Sequence, residues 1–552
     1  MTKTFTSSKN IFKNHRFPIL LILFAGFFFR VFHYLNNRSL WEDEVFLASS
    51  LIRMNFTELA TLPLDYQQRA PIGFLWLAHL GVFFFDKKEL SLRLFPFVAG
   101  IAALFTFVPV ARYFLRSNQS IFAAIFVVAL APPIIYHAVE VKQYGTEFFA
   151  SVLSLYLYTH FVQKDNIKDL LIWGILGAII LWFSFSSLFV LFGMAGSVCL
   201  TCLIKKEWKQ LFLYMIPFSV WLISFLIQYA FFISKFPEEE WLIQFWRNRD
   251  AFMPIPPHSV KDLLWPFKQI YSLVRYPMGL TWFDLDYKND YSDKLRILAR
   301  MPALPILTGL LGLWTLLKKE RKHLLLFALP VILALIASAL EFYPLRERLT
   351  VFLSPIFILV IGKGVENIYT WPVSAWAKKI FLCALLAAPL LNSTLQMIDP
   401  ELFGDYKKSS QREAMQYLQK NYQAGDVVYV YWNNQPSFRY YQQAYGFNFK
   451  TVFGSDVRYV SHNFDSYFKN LSSDFKKLNG SRRLWYAYKP YNGIKIGDIE
   501  KEPKWYYYKV DAVKKMLEKI SSFGVLKDSY PSRETGTDVK LYLFELDPER
   551  RL

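Results

Sequence analysis

The chain has 552 residues, 54% of them hydrophobic and 18% aromatic, with 53 Phe. Its mean hydropathy of +0.21 is more than one soluble core needs and fits repeated membrane crossing. The formal charge of +19 admits nucleic acid or anionic lipid as a partner. The basic residues sit in short loops between apolar segments, which speaks against nucleic acid.

The N-terminal region sets Lys3, Lys9, Lys13 and Arg16 before an apolar run, in the manner of a signal peptide. No small-residue cleavage site follows, so a retained first helix at 17–34 is expected. Just beyond it stands Trp41-Glu42-Asp43-Glu44. Each acid at mid-bilayer would cost roughly 3 kcal/mol, so the tetrapeptide belongs at a water boundary. A carboxylate held there can take a proton from a hydroxyl group. The same three acids equally suit the first turn of a helix, at its positive end.

Next come Gln67-Gln68-Arg69-Ala70-Pro71 and an apolar stretch, 71–85. At about 15 residues this stretch is short for a crossing, and its placement sets the parity of everything after it. Ten further apolar segments follow at 92–114, 119–137, 146–163, 169–184, 187–204, 211–233, 302–317, 324–340, 349–368 and 378–396. The run 169–204 is divided at the polar point Ser184-Phe185-Ser186-Ser187. With 71–85 lying flat, eleven crossings result. One set of loops then gathers Arg112, Arg116, Lys164, Lys168, Lys205, Lys206, Lys209, Lys318, Lys319, Arg321, Lys322, Lys378 and Lys379 with few acids. By the positive-inside rule those loops and the N-terminus are cytoplasmic, and the tail is outside. Lys87 and Lys88 are local support for the opposite reading of 71–85, outweighed by the whole set.

The external segments 35–91, 234–301 and 397–552 are long. The last is polar and rich in Tyr, Lys and Asn. Helices at 410–422 and 511–523, with strands at 427–432 and 539–546, make it a small α/β domain. The three cysteines, Cys199, Cys202 and Cys383, all lie in apolar segments, so the tail folds without disulfides. Cys199 and Cys202 have the spacing of a redox or zinc half-site. With no second pair nearby they read as small apolar residues on a helix.

The orientation puts three polar clusters on one face. Glu42–Glu44 with Arg69 is the first. The second is Tyr136-His137-Ala138-Val139-Glu140-Val141-Lys142-Gln143-Tyr144, with Glu147 one turn on. The third is Tyr343-Pro344-Leu345-Arg346-Glu347-Arg348. Plainer readings exist for each: a surface ion pair for Glu140 and Lys142, or snorkelling anchors for Arg346 and Arg348. His137 and Glu140 have the helical i,i+3 spacing of a metal pair. Together on one face, carboxylates, cations and tyrosines describe a site for an anionic lipid headgroup and a hydroxylic partner.

At these residues the chain resembles the GT-C superfamily of glycosyltransferases, on the branch of protein O-mannosyltransferases and lipid A aminoarabinose transferases. The likeness runs over about 17–396 and more loosely into the tail. Trp41 to Glu44 resembles the Asp-Glu signature of the first external loop. Pro71 and its helix resemble the juxtamembrane segment, and Glu89-Leu90-Ser91-Leu92-Arg93-Leu94 the opening of the second membrane helix. Glu140-x-Lys142-Gln143-Tyr144 resembles the second external loop. Tyr343-Pro344 with Arg348, Phe352-Leu353 and Pro355 resembles the Tyr-Pro-x-x-x-Arg pattern. Lys142 stands where some relatives have Arg, a point charge in place of a fork. The Trp-Trp-Asp signature of oligosaccharyltransferases is absent, which argues against en bloc glycan transfer.

The resemblance implies a polytopic α-helical enzyme of the inner (plasma) membrane, with a transmembrane catalytic domain at 1–396 and an extracytoplasmic α/β domain at 397–552. It implies inverting transfer of one sugar from a polyprenyl-phosphate donor to a lipid, glycan or protein acceptor. Asp43 would be the general base, with Glu44 orienting it or the acceptor. Arg69, Lys142, Tyr144, Arg346 and Arg348 would hold the phosphate and sugar, supported by Glu140, Glu147 and Tyr343. No cofactor is required by these residues, and a divalent cation is left open. The loop 234–301, with Glu238-Glu239-Glu240-Trp241 and Pro254-Ile255-Pro256-Pro257, is a candidate lid. The run Trp505-Tyr506-Tyr507-Tyr508 is a candidate sugar or partner surface, or a packing cap. The competing class is a secondary transporter or flippase for a lipid-linked or anionic substrate. It calls for inverted halves and acids within the spans, and the sequence offers neither.

Overall fold

A computed structural model describes residues 16–235, 240–282, 300–490, 494–508, 511–531 and 538–546. Helix α1 (Arg16–Asn36) leads to three shorter helices, α2 (Glu42–Arg53), α3 (Phe56–Thr61) and α4 (Ile72–Phe84). Then come α5 (Glu89–Phe114), α6 (Asn118–Leu130), α7 (Pro132–Ala138), α8 (Tyr144–Phe161), α9 (Ile167–Phe183), α10 (Ser187–Lys205) and α11 (Trp208–Phe231). The short helices α12 (Glu240–Arg247), α13 (Val260–Leu263) and α14 (Trp265–Arg275) precede Ala303–Lys319, Arg321–Ala339, the 3₁₀ turn Glu347–Leu353 with Ser354–Ile368, and Ala375–Ile398.

Each of the eleven expected segments is helical. Seven of the described helices are long and apolar enough to cross a membrane, eight if α6 and α7 count as one bent span. The protein is thus an integral membrane protein. α4, with 13 residues, reaches only about 20 Å and is too short to span. α9 and α10 part at Ser184, whose backbone is extended. α6 and α7 meet at a 51° bend, because Pro132 and Pro133 lack N–H groups and push Ala131 out of the helical region. That bend aims Tyr136 and His137 toward the loop 139–143.

The two ends of the bundle are chemically distinct. At the far end of α5, Arg116 meets Glu320 at 3.2 Å, and buried Lys363 meets the same carboxylate at 2.8 Å. At the near end, buried Glu89 accepts from Arg412 at 3.2 Å and from Tyr445 Oη at 2.7 Å.

The tail carries a five-stranded sheet in the order β2-β1-β3-β5-β4, from β1 (Val427–Val430), β2 (Thr451–Phe453), β3 (Arg483–Tyr488), β4 (Gly524–Tyr530) and β5 (Lys540–Leu546). β1 runs parallel to β2 and β3, and β5 antiparallel to β3 and β4. One face packs on Tyr467, Met516 and Ile520. The other shares a single apolar core with the membrane domain, where Met415, Phe438 and Trp485 join Val45, Leu51 and Phe74. The seam is therefore packed as tightly as an interior. The run 505–508 belongs to this architecture: Tyr506 is fully buried and its hydroxyl lies 2.7 Å from that of Tyr431. It serves as packing, and the candidate sugar surface is corrected accordingly.

Candidate functional site

α2 begins at Glu42, so the three acids occupy its first turn, where the helix dipole favours carboxylates. Their fates differ. Glu42 is 47% exposed and pairs with Lys489 of the tail at 2.5 Å. Asp43 keeps 18% exposure. Glu44 has none.

Asp43 lies between two cations. Lys142 Nζ donates to its Oδ1 at 3.1 Å, and Arg348 Nη2 lies 2.9 Å from Oδ2. Burial raises the Asp43 carboxyl, but Lys142 and Arg348 outweigh it and hold the group below its ordinary value. Lys142 also donates to Gln68 Oε1 at 2.5 Å, which brings the 67–71 loop to the site. Arg69 follows there, half-buried. Tyr66 and Gln67 just before it both have left-handed backbones, at φ 53° and 56°, a conformation that costs of order 1 kcal/mol and clusters at functional loops.

Arg348 donates through Nε to Tyr144 Oη at 3.1 Å and stacks over Trp41, 5.5 Å from the ring centre. It is delivered by the 3₁₀ turn, whose first residue Glu347 has φ 45°. The tight loop carrying Lys142 depends on Gly145: a Cβ there would stand 2.3 Å from His137 O.

Behind this face runs a buried chain. Glu140, fully buried, accepts from Trp41 Nε1 at 3.2 Å and from His137 Nδ1 at 2.7 Å. His137 Nε2 lies 2.5 Å from Tyr276 Oη, and Tyr276 Oη accepts from Lys407 Nζ at 3.0 Å. With a neutral imidazole every proton in the chain faces an acceptor. Burial raises the Glu140 carboxyl, yet His137, Lys407 and Arg348 bring it below its ordinary value.

Several expectations need correction here. Glu44 does not face an acceptor. Its Oε1 takes Arg93 at 3.0 Å and Val141 N at 2.8 Å, and its Oε2 takes Arg38 at 2.6 Å, so it ties α2 to α5 and to two loops from inside. Arg346 turns away and donates to Arg249 O. Arg346 precedes the 3₁₀ turn with an extended backbone, φ −149° and ψ 136°, and Glu347 at φ 45° separates it from Arg348, so the two side chains leave in different directions. Tyr343 packs between Phe189 and Phe352 and donates to Leu349 O at 2.9 Å. Glu147 is buried one turn below Tyr144, beside Ser186. His137 and Glu140 form a hydrogen-bonded pair with both ring nitrogens engaged, which leaves no nitrogen for a metal. Among the described residues no group of three or more His, Cys, Asp or Glu gathers to hold an ion. Asp43 already faces two cations, and a divalent cation does not fit this donor set.

The candidate lid is anchored where it is described; Glu238 and Glu239 lie outside the described residues. Arg247 forks onto Glu341 at 2.6 and 2.9 Å, and Leu345 N donates to Ala251 O at 2.7 Å. This segment supplies Tyr276. That residue, Arg38 and Lys407 escaped the sequence reading, because each stands alone in a loop with no motif around it.

Comparison with known proteins agrees with this geometry. Residues 69–230 match the family model of dolichyl-phosphate-mannose-protein mannosyltransferase, a stretch holding Arg69, Glu140, Lys142, Tyr144 and Glu147. No curated protein matches the sequence. The structure of ArnT from Cupriavidus metallidurans bound to undecaprenyl phosphate superimposes with a TM-score of 0.53 at 11% identity, covering 96% of this chain and 97% of that one. Its apo form gives 0.51 at the same identity and coverage. AglB from Archaeoglobus fulgidus, an archaeal oligosaccharyltransferase in complex with an inhibitory peptide and a dolichol-phosphate, is looser: 0.48 at 11% identity, over 96% of this chain and 74% of that one. The likeness to ArnT establishes the fold, and the family match covers the loop of Lys142 but neither Asp43 nor Arg348. Over 69–230 the chain thus resembles a mannosyltransferase family, and its fold resembles that of ArnT.

Proposed function

We propose that the protein moves a single sugar, with inversion, from a polyprenyl-phosphate donor to an acceptor hydroxyl or amine on the extracytoplasmic face. The observation that carries this reading is Asp43 set between Lys142 at 3.1 Å and Arg348 at 2.9 Å, its side chain 18% exposed. The acceptor attacks the anomeric carbon, its proton passes to Asp43, and the carbon–oxygen bond to the phosphate breaks as the phosphate takes the electron pair. Lys142 and Arg348 neutralise the charge that develops on the leaving group, and Arg69, next to Gln68 in its loop, is a further candidate for that role.

The pairing has a further consequence for the base. A carboxylate neutralised by two cations is a weak proton acceptor. An arriving phosphate competes for the same two cations, and as they turn to it the basicity of Asp43 rises. Donor binding thus prepares the base, and acceptors are not activated in its absence. The tail domain closes the site from outside through Lys489 on Glu42. The positive-inside loops support a cytoplasmic N-terminus, and no step requires a metal.

The test is transfer of radiolabel from a panel of polyprenyl-phosphate sugars by the purified protein and by Asp43→Asn. Transfer by the native chain alone is expected. Equal transfer by Asp43→Asn removes the base from this position.

A further inference from the structure

Lys407 is an ammonium buried to 3% exposure in the segment between the last membrane helix and the tail domain. Three tyrosine rings surround it: Tyr276 at 4.6 Å, Tyr136 at 4.7 Å and Tyr406 at 5.3 Å from ring centre to Nζ. Its Nζ donates to Tyr276 Oη. A residue there for packing alone would be better apolar, because burying a charge is costly. The turn that delivers it is specific. Gly404 has φ +87°, a Cβ on it would meet the Tyr136 ring at 2.7 Å, and its carbonyl accepts the Lys407 N–H at 3.0 Å.

We propose that Lys407 is a positioning residue of the glycosyl-transfer site, acting through Tyr276, His137 and Glu140 to fix Trp41 under Arg348. The inference rests on the proposed function of that site. Each link is a hydrogen bond: Lys407 to Tyr276, Tyr276 to His137, His137 to Glu140, and Trp41 to Glu140. The Trp41 ring then lies against the Arg348 guanidinium that faces Asp43.

Charge state gives the chain a measurable signature. Burial lowers Lys407 to about 8, against the pull of Glu140 and with the help of Arg348. Tyr136 and His137 of α7, Glu140 of the next loop, Tyr276 after α14, Glu347 and Arg348 of the 3₁₀ turn, and Asp405 and Tyr406 beside it make up its surroundings. The ammonium is therefore lost as pH rises through about 8, and the hydrogen bond at the head of the chain loses its charge assistance.

The experiment measures binding of undecaprenyl phosphate to the full-length protein in detergent from pH 6 to 10, for the native chain and for Lys407→Met, Lys407→Arg, Tyr276→Phe and Arg348→Ala. Lys407→Met and Tyr276→Phe are each expected to weaken binding about tenfold at pH 7, the factor that accompanies loss of one hydrogen bond to a charged group. Lys407→Arg should bind as the native chain does at pH 7 and lose the weakening above pH 8. Native binding by Tyr276→Phe overturns the proposal, since Lys407 would then act by charge alone. An unchanged alkaline limb in Lys407→Arg overturns it as well. Should Lys407→Met fail to fold, Tyr276→Phe and Lys407→Arg still decide. Native binding by Arg348→Ala would instead sink the phosphate site itself, a separate failure.

Discussion

The guanidinium of Arg348 stands 2.9 Å from the carboxylate of Asp43, and its Nε reaches Tyr144 Oη at 3.1 Å. One planar group thus binds the base, a phenol and, by stacking, Trp41. Arg348→Lys retains the charge but loses the fork. Donor KM is expected to rise about tenfold, by the loss of one charge-assisted hydrogen bond, with acceptor KM little changed. Steady-state kinetics varying each substrate in turn is the check; equal changes in both would make Arg348 a structural anchor.

Asp43→Asn should cut turnover by about 10² to 10⁴, the usual worth of a positioned base. Chromatographic behaviour and melting temperature should stay near native. Single-turnover assays at saturating donor separate loss of chemistry from loss of binding.

Glu44 predicts the opposite outcome. It is wholly buried against Arg93 and Arg38, and its removal leaves two cations without their partner. Glu44→Ala should cost roughly 3–5 kcal/mol of stability, read as loss of folded protein from the membrane fraction. A stable, inactive Glu44→Ala would return this residue to the reaction.

Lys489→Ala breaks an ion pair whose acid, Glu42, is 47% exposed. The expected loss is under about 1 kcal/mol, seen as a small shift in melting temperature that vanishes at high salt.

Acid should loosen the molecule at both ends. Burial raises the Glu320 carboxyl, but His323 and Lys363 bring it from 4.5 to about 2. Asp43 is likewise depressed. For a carboxylate with a lowered folded pKa the contribution is full above the unfolded value and is lost as pH falls through the folded one. Melting temperature should therefore drop as pH falls from 4.5 toward 2, and Lys363→Met should blunt the drop.

The sequence placed the helices of the apolar segments because apolar length is a local property, while seven or eight of the described helices, against eleven expected, are long and apolar enough to cross. It found Asp43, Lys142 and Arg348 because charges beside membrane segments are rare and need a reason. It could not separate Asp43 from Glu44, since only the fold shows that Arg93 comes up beneath one of them. Nor could it choose between Arg346 and Arg348, a question of turn geometry. β3, Arg-Leu-Trp-Tyr-Ala-Tyr, escaped because a strand buried on both faces has no alternation to read. Lys407 and Tyr276 gain meaning only from partners far away in sequence.

The loop that leads into α2 is held by residues made much later. Leu40 N donates to Tyr441 Oη at 2.7 Å, Ser39 Oγ to Glu413 at 2.7 Å, and Arg412 to Asn37 O at 2.7 Å. During synthesis the first helices enter the bilayer long before those anchors exist. A ribosome-bound intermediate carries the start of α2 untethered, so the position of Asp43 is fixed only once the final globule has docked.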